Sequence, residues 1–106
     1  MKTVMRIPKS FNLMGKTYTV EYMPRLNFSE GAMGMAYHRS HRIGLQTDTP
    51  EYTRTTEDNE QTFLHELTHH ILHAMGETKL NNNEKFVDMF AGFLHQALTS
   101  MEYADE

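Results

Sequence analysis

The chain has 106 residues, a formal net charge of −4 at pH 7 and no cysteine. A chain of this length buries roughly 60–70% of its unfolded surface, so we expect one domain with one modest core over residues 1–106. The absence of cysteine excludes disulfides. The acidic balance is not the charge pattern of a protein that binds a nucleic-acid backbone.

Residues 1–14 contain no apolar segment of the kind found in a signal peptide, and no run approaches ~18 apolar residues. We therefore expect neither secretion nor a membrane partner, and we expect the cytoplasm as the location.

The first half of the chain is patterned for strands. Residues 11–22 alternate in polarity around a turn at residues 14–16, which predicts a β-hairpin that ends before Pro24. Residues 32–37 and 42–47 predict a second pair of strands.

A polar loop over residues 47–56 leads into the first predicted helix, residues 57–75. At about 100° per residue, its apolar side chains fall on one face and its histidines on the other. Thr55 or Thr56 is placed to cap the start, and Gly76 is placed to end the helix.

A second helix is predicted over residues 84–100, after three asparagines at residues 81–83 that are typical of an N-cap. Because the connection over residues 76–83 is short, the two helices should pack antiparallel. The predicted fold class is therefore α+β, with a small antiparallel or mixed sheet packed on two antiparallel helices.

The first helix carries the pattern H-E-x-x-H over residues 65–69. His65 and His69 lie on the same helical face, close enough to share one metal ion. Glu66 lies about 100° round the helix from His65, where its carboxylate can reach a metal-bound water without binding the metal. This spacing is typical of zinc-dependent hydrolases, in which the glutamate is the general base.

Two histidines are too few for a catalytic zinc ion, which usually takes three protein ligands and a water. Antiparallel packing carries the first turn of the second helix toward the end of the first, and this makes Glu84 the candidate third ligand. Asp88 follows one helical turn later on the same face. Its carboxylate is placed to bind the second ring nitrogen of a ligand histidine and to fix its tautomer.

Each candidate also has a purely structural interpretation. His65 and His69 suit a solvated, histidine-rich helix face. Glu84 suits a capping box in which it bonds back to the Asn81 backbone. Asp88 suits the acidic first turns of any helix, where it interacts favourably with the helix dipole.

The other histidines of the two helices are interpreted as structural. His70 faces away from His65 and suits packing or the surface. His73 lies about 6 Å beyond His69, so a structural or hydrogen-bonding role is favoured over ligation. His95 lies about 16 Å along its helix from Glu84, too far to bind the same ion, and it suits a hydrogen-bonded or exposed position.

The sequence HELTHH at residues 65–70, followed by E-x-x-x-D-x-F-A-x-x-L from Glu84, resembles the glutamate-zincins, the thermolysin-like zinc peptidases. More narrowly, it resembles the small ImmA/IrrE-type metallopeptidases of bacteria, phages and mobile elements. The resemblance covers roughly residues 34–98 and is specific in the second half of the chain.

This resemblance implies a minimal zincin-like domain that hydrolyses peptide bonds. His65, His69 and Glu84 would then bind Zn²⁺. Glu66 would be the general base, and Asp88 would orient His65.

The same resemblance implies a peptide or protein substrate laid along the edge strand of the sheet. Residues 32–37 or 42–47 would have to provide that strand. A donor that stabilises the oxyanion is also expected, and its candidates are His38, His41, Tyr37 and Tyr52.

Two functions are alternatives to a zinc peptidase. One is a catalytically silent binding module that acts through protein contacts, and the other is a zinc hydrolase of non-peptide amides.

Overall fold

Two long helices pack against one face of a four-stranded sheet in the computed structural model, which describes residues 5–104. Residues 1–4 and 105–106 lie outside the described residues. They include both ends of the predicted domain and the start of the segment 1–14 considered above. In chain order the elements are β1 (Ser10–Leu13), β2 (Lys16–Met23), α1 (Leu26–Glu30), β3 (Gly34–Tyr37), β4 (Arg42–Gln46), α2 (Thr56–Met75), α3 (Thr78–Asn81) and α4 (Glu84–Ser100).

The sheet is mixed, with the strand order β1-β2-β4-β3. The hairpin strands β1 and β2 are antiparallel, as are β3 and β4, whereas β2 and β4 are parallel. The predicted α+β class with a small mixed sheet is confirmed. The order of the strands places β4 inside the sheet and β3 at its edge.

The alternating side chains of β4 face two different layers. Ile43 and Leu45 are fully buried and point toward the long helices, where they pack in one apolar cluster with Phe63, Leu64 and Ala91. Gly44 points the other way, and a Cβ placed there would lie 3.8 Å from the Leu26 side chain of α1. The sheet therefore has α2 and α4 on one face and α1 on the other.

The short helices α1 and α3 were not predicted from the sequence. Helix α1 is held to the sheet by Gln46, whose side-chain amide donates to the Pro24 carbonyl at 2.7 Å and accepts from the Asn27 N–H at 2.7 Å. Leu26 is buried beneath it. Helices this short are stabilised by tertiary contacts and leave no periodic pattern to detect.

Both long helices were predicted to within one residue, and their ends are capped. Thr55 is the N-cap of α2: its hydroxyl accepts from the Asp58 N–H at 3.0 Å, and the Asp58 carboxylate accepts from the Thr55 N–H at 3.0 Å. These hydrogen bonds lower the pKa of Asp58. Gly76 ends α2 in the left-handed region at φ 75°. Asn83 caps α4 through the Phe86 N–H.

The two long helices are antiparallel, as predicted. Near the start of α2, the buried Glu60 carboxylate lies 2.8 Å from His95 Nε2, near the end of α4. At the opposite end of the pair, His65 and His69 face Glu84 in the first turn of α4. Within residues 5–104, no helix combines the length and the apolar character needed to cross a bilayer.

Replacing Thr55 by alanine is expected to lower the free energy of unfolding by about 1 kcal/mol, because the side-chain half of the capping box is lost. The exposed Thr53 lies in the same loop, and Thr53→Ala should change stability by less than about 0.5 kcal/mol. Urea unfolding followed by circular dichroism measures both variants. Equal effects would contradict a capping role for Thr55.

Candidate metal centre

Three side chains from two helices converge at one point beside the sheet. His65 Nε2 lies 3.2 Å from one oxygen of the Glu84 carboxylate, and His69 Nε2 lies 3.1 Å from the other. One ligand atom of each of the three residues lies within 4.8 Å of the others. The structure thus brings together the three residues that the sequence predicted as metal ligands.

The second nitrogen of each histidine faces an oxygen acceptor. His65 Nδ1 lies 3.3 Å from Asp88 Oδ1, and His69 Nδ1 lies 2.6 Å from Asn81 Oδ1. Because these oxygens accept, each Nδ1 carries the proton in the neutral imidazole, and each Nε2 lone pair points toward Glu84. Both rings are therefore held in the tautomer that metal binding requires.

Asp88 lies where the sequence predicted it, but the role of Asn81 was missed. The asparagines were interpreted only as a helix cap, and Asn83 alone caps α4. Asn81 is instead the last residue of α3, and its side chain reaches back to His69. Only the asparagine-rich composition of the connection hinted at such a partner.

The capping-box interpretation of Glu84 is wrong. The Asn81 N–H donates to the Glu77 carbonyl at 2.9 Å, so it is not available to the Glu84 carboxylate. Asn83 provides the N-cap. Glu84 directs both of its oxygens at the two histidines.

His65 and His69 do not lie on a solvated surface of α2. The side chains of His65 and His69 are only 20% and 15% exposed, whereas those of Glu84 and Asp88 are 69% and 81% exposed. The imidazoles thus line the floor of a cleft whose carboxylate rim is open to solvent.

The donor set fits a divalent metal ion. Two neutral imidazole nitrogens and one carboxylate oxygen match the three protein ligands of many catalytic zinc sites, and imidazole also suits copper, iron and nickel. Ligand atoms on tetrahedral bonds of about 2.0–2.1 Å are roughly 3.3 Å apart. Each Glu84 oxygen lies at about that spacing from its own histidine, and one ligand atom of each of the three residues lies within 4.8 Å of the others.

Glu66 lies against the wall of the cleft and is 8% exposed. Burial, with a smaller contribution from Glu84, raises the pKa of its carboxyl group, against the opposing effect of His65 and His69. A raised pKa makes the carboxylate a better proton acceptor near neutral pH. The residue predicted as general base therefore has the environment that this role needs.

Gly34 explains how the edge strand comes so close to this carboxylate. A Cβ at Gly34 would overlap the Thr62 side chain and lie 3.1 Å from Glu66 Cγ and Oε2. The next position that faces the same way, Ala36, is also small. Small residues thus let β3 lie directly alongside α2.

Two depressions meet at the metal centre and share Met35, Glu66, His69 and Glu84. The first depression has a volume of about 510 Å³ and is also lined by residues 32–34 and by the first half of α2. The second has a volume of about 330 Å³ and is also lined by the β3–β4 turn and by the connection before α4. The strand that borders both is β3. Of the two strands considered for substrate, β4 is excluded because it lies inside the sheet.

Of the four candidates for the oxyanion donor, only His38 lines either depression. The His41 ring packs on Tyr18 at 4.8 Å, and the Tyr37 hydroxyl lies 3.9 Å from Met23 Sδ. Tyr52 lies in the loop before α2.

The tautomer of His38 does not suit an oxyanion donor. His70 Nε2 donates to the Arg42 carbonyl at 2.7 Å, so His70 Nδ1 accepts the proton of His38 Nδ1, 3.3 Å away. Burial, with the neighbouring histidines, lowers the pKa of His38 to about 4. At neutral pH its remaining nitrogen therefore accepts hydrogen bonds and does not donate them.

The remaining histidines have structural roles, in agreement with their interpretation. His70 is buried, and His73 stacks on His38 with ring centroids 4.2 Å apart. This cluster joins the β3–β4 turn to α2. His95 is buried and paired with Glu60, whose partner lies 35 residues away and could not be predicted from the sequence.

No family model, curated protein or solved structure matches the chain. The resemblance to ImmA/IrrE-type peptidases stays a prediction from the motifs. The assignment of function rests on the geometry of the site.

Replacing Gly34 by alanine is expected to destabilise the fold by roughly 1–3 kcal/mol, because the new methyl group separates β3 from α2. Gly92 is the matched control: it lies in α4 with no atom within 4 Å of an added Cβ. Gly92→Ala should stabilise the protein by about 1 kcal/mol through helix propensity. Urea unfolding compares the two variants, and a neutral Gly34→Ala would show that the contact is not tight.

Asp88→Ala and Asn81→Ala are each expected to weaken metal binding 10- to 100-fold, a range typical of losing the partner of a ligand histidine. Asn82→Ala is the matched control: Asn82 is exposed and lines the smaller depression, whereas the hydrogen-bond partners of His69 and His65 are Asn81 and Asp88. Competition with a chromophoric zinc chelator measures the affinities. Unchanged affinity in both variants would remove these two residues from the site.

Proposed function

We propose that the chain is a zinc-dependent metallopeptidase of the glutamate-zincin type. His65, His69 and Glu84 hold the zinc ion, and Glu66 is the general base. The observation that carries the proposal is the convergence of both Nε2 atoms on the Glu84 carboxylate, next to a buried glutamate whose pKa is raised.

The residues of the site divide the chemistry between them. A bound zinc ion supplies a Lewis acid for the scissile carbonyl and lowers the pKa of a water to about 7. Glu66 takes a proton from the attacking water at its carboxylate and delivers it to the leaving amine. Asp88 and Asn81 keep the histidine tautomers in place during these steps.

The substrate class follows from the edge strand. Within residues 5–104, no other strand pairs with the outer side of β3. An extended peptide can add to that side through main-chain hydrogen bonds. Because depressions adjoin the site in both directions along β3, the cleft suits a peptide that continues beyond both sides of the cleaved bond.

We also place the protein in the cytoplasm, with no nucleic-acid or membrane partner. The absence of cysteine supports this location, because nothing in the chain depends on an oxidising compartment.

Glu66→Gln is expected to retain zinc and to lose at least about 100-fold of peptide hydrolysis, because the amide cannot accept the proton. The control is Glu77→Gln, an exposed glutamate next to the end of α2. Inductively coupled plasma mass spectrometry measures zinc, and quenched fluorescent peptides measure turnover. Full turnover by Glu66→Gln would refute the mechanism.

A catalytically silent binding module is the second candidate, and one observation favours it. The outer face of α4 exposes Met89, Phe90 and Phe93, an apolar surface of the kind found at protein contacts. Glu66 favours the enzyme, since a structural metal site has no use for a base. Absence of turnover by the zinc-loaded chain on any peptide would favour the module.

A further inference from the structure

Arg54 brings a positive charge into an acidic cleft. It lies two residues before α2, and among residues 5–104 it is the only lysine or arginine that lines the larger of the two depressions at the site. Four carboxylates line the same depression: Asp58, Glu66, Glu84 and Asp88. Apart from a bound metal ion, the Arg54 guanidinium is therefore the fixed positive charge among residues 5–104 that can attract an anionic group of a substrate into this depression.

The guanidinium is held in place by neutral oxygen atoms. Arg54 Nη2 donates to Thr62 Oγ1 at 2.5 Å and to the Asp58 carbonyl at 3.2 Å, and Nε donates to Asn59 Oδ1 at 3.2 Å. The Arg54 main-chain N–H is fixed by Asp48 at 2.7 Å. These bonds restrict the side chain before any ligand arrives, which lowers the entropy cost of binding.

Among residues 5–104, the nearest electrostatic influence on the guanidinium from a carboxylate is that of Asp58, which lies beyond ion-pair distance. Within residues 5–104, no Asp or Glu oxygen forms an ion pair with it, and Nη1 has no hydrogen-bond partner. Arg54 is partly exposed to the cleft. Since planar guanidinium groups bind carboxylates particularly well, a substrate carboxylate is the complement that this position lacks.

The direction of β3 decides which end of a substrate approaches Arg54. The strand begins with Gly34 beside Thr62 and leads toward His38, which stacks on His73, so β3 and α2 run in the same direction. Antiparallel pairing is the more stable arrangement per residue. A peptide paired in this way runs in the opposite direction, with its C-terminal part toward Arg54.

The distance along the cleft limits which substrate residue is contacted. Thr62, the partner of Arg54, precedes Glu66 by four residues, a rise of about 6 Å along the helix. An extended peptide covers the same distance in about two residues, at about 3.3 Å each.

We propose that Arg54 selects substrates that carry a carboxylate within about two residues on the C-terminal side of the cleaved bond. This inference rests on the proposed peptidase function. The carboxylate can belong to an Asp or Glu side chain or to the free C-terminus of the substrate.

Matched peptides test the selection. A neutral peptide cleaved by the zinc-loaded chain is mapped by mass spectrometry and remade with Asp or Asn at the second position after the cleaved bond. A second pair ends at that position with a free carboxylate or with an amide. We expect kcat/KM to be about 10-fold higher or more for the acid of at least one pair, as for a hydrogen bond to a charged group. The pair that shows the larger ratio identifies the source of the carboxylate.

Arg54→Gln should reduce each acid-to-neutral ratio to about 1, and Arg54→Lys should retain part of it. A ratio measured within one variant is unaffected by a general loss of active protein. Arg25→Gln is the control, because Arg25 stacks on Phe28 away from the cleft and its removal should leave the ratios unchanged. Equal kcat/KM for acid and neutral peptides in the native chain, or an unchanged preference in Arg54→Gln, would overturn the inference.

Binding measurements separate this inference from the peptidase proposal. Isothermal titration of the same peptide pairs into zinc-loaded Glu66→Gln, with and without Arg54→Gln, compares affinities in the absence of turnover. A native chain that hydrolyses no peptide contradicts the proposed function. In that case the titration uses a fixed set of neutral peptides, each made with Asp or Asn at one position and with a free or amidated C-terminus, and the affinity ratios with and without Arg54→Gln still decide whether Arg54 selects a carboxylate.

Discussion

The antiparallel packing of α2 on α4 is the constraint on which the site depends. The buried pair of Glu60 and His95 joins the helices at one end. At the other end, the same packing holds Glu84 about 3 Å from both His65 and His69. Because the ligands come from two rigid helices, their separation is determined by the apolar contacts between the helices and not by a flexible loop.

A second close contact, between β3 and α2, shapes the cleft and the environment of Glu66, the proposed general base. Gly34 lets the strand approach the helix at Glu66. The approach buries the Glu66 carboxyl group and raises its pKa. Within residues 5–104, it also leaves the outer edge of β3 unpaired beside the candidate metal ligands. One packing contact therefore supplies both the basicity of Glu66 and the groove in which a peptide can lie.

Polar groups outside the motif complete the site. Asn81 lies on a short helix that sequence periodicity cannot reveal, yet its oxygen fixes the His69 tautomer. His38 was one of four open candidates for an oxyanion donor, but its bond to His70 leaves only an acceptor facing outward. Arg54 was treated only as part of a polar loop, and the fold places it in the cleft. Each of these roles depends on a partner far away in the sequence.

The sequence alone determined the two long helices, the two hairpins and the spacing of the histidines. These features follow from local rules: period 3.6, alternation, capping residues and turns. With the short connection, they also predicted Glu84 and Asp88 beside His65. Only the tertiary structure decided the parallel pairing of β2 with β4, the edge position of β3, and the roles of Gly34, Asn81 and Arg54. Those features depend on contacts between residues distant in the chain, and no local pattern records which segments meet.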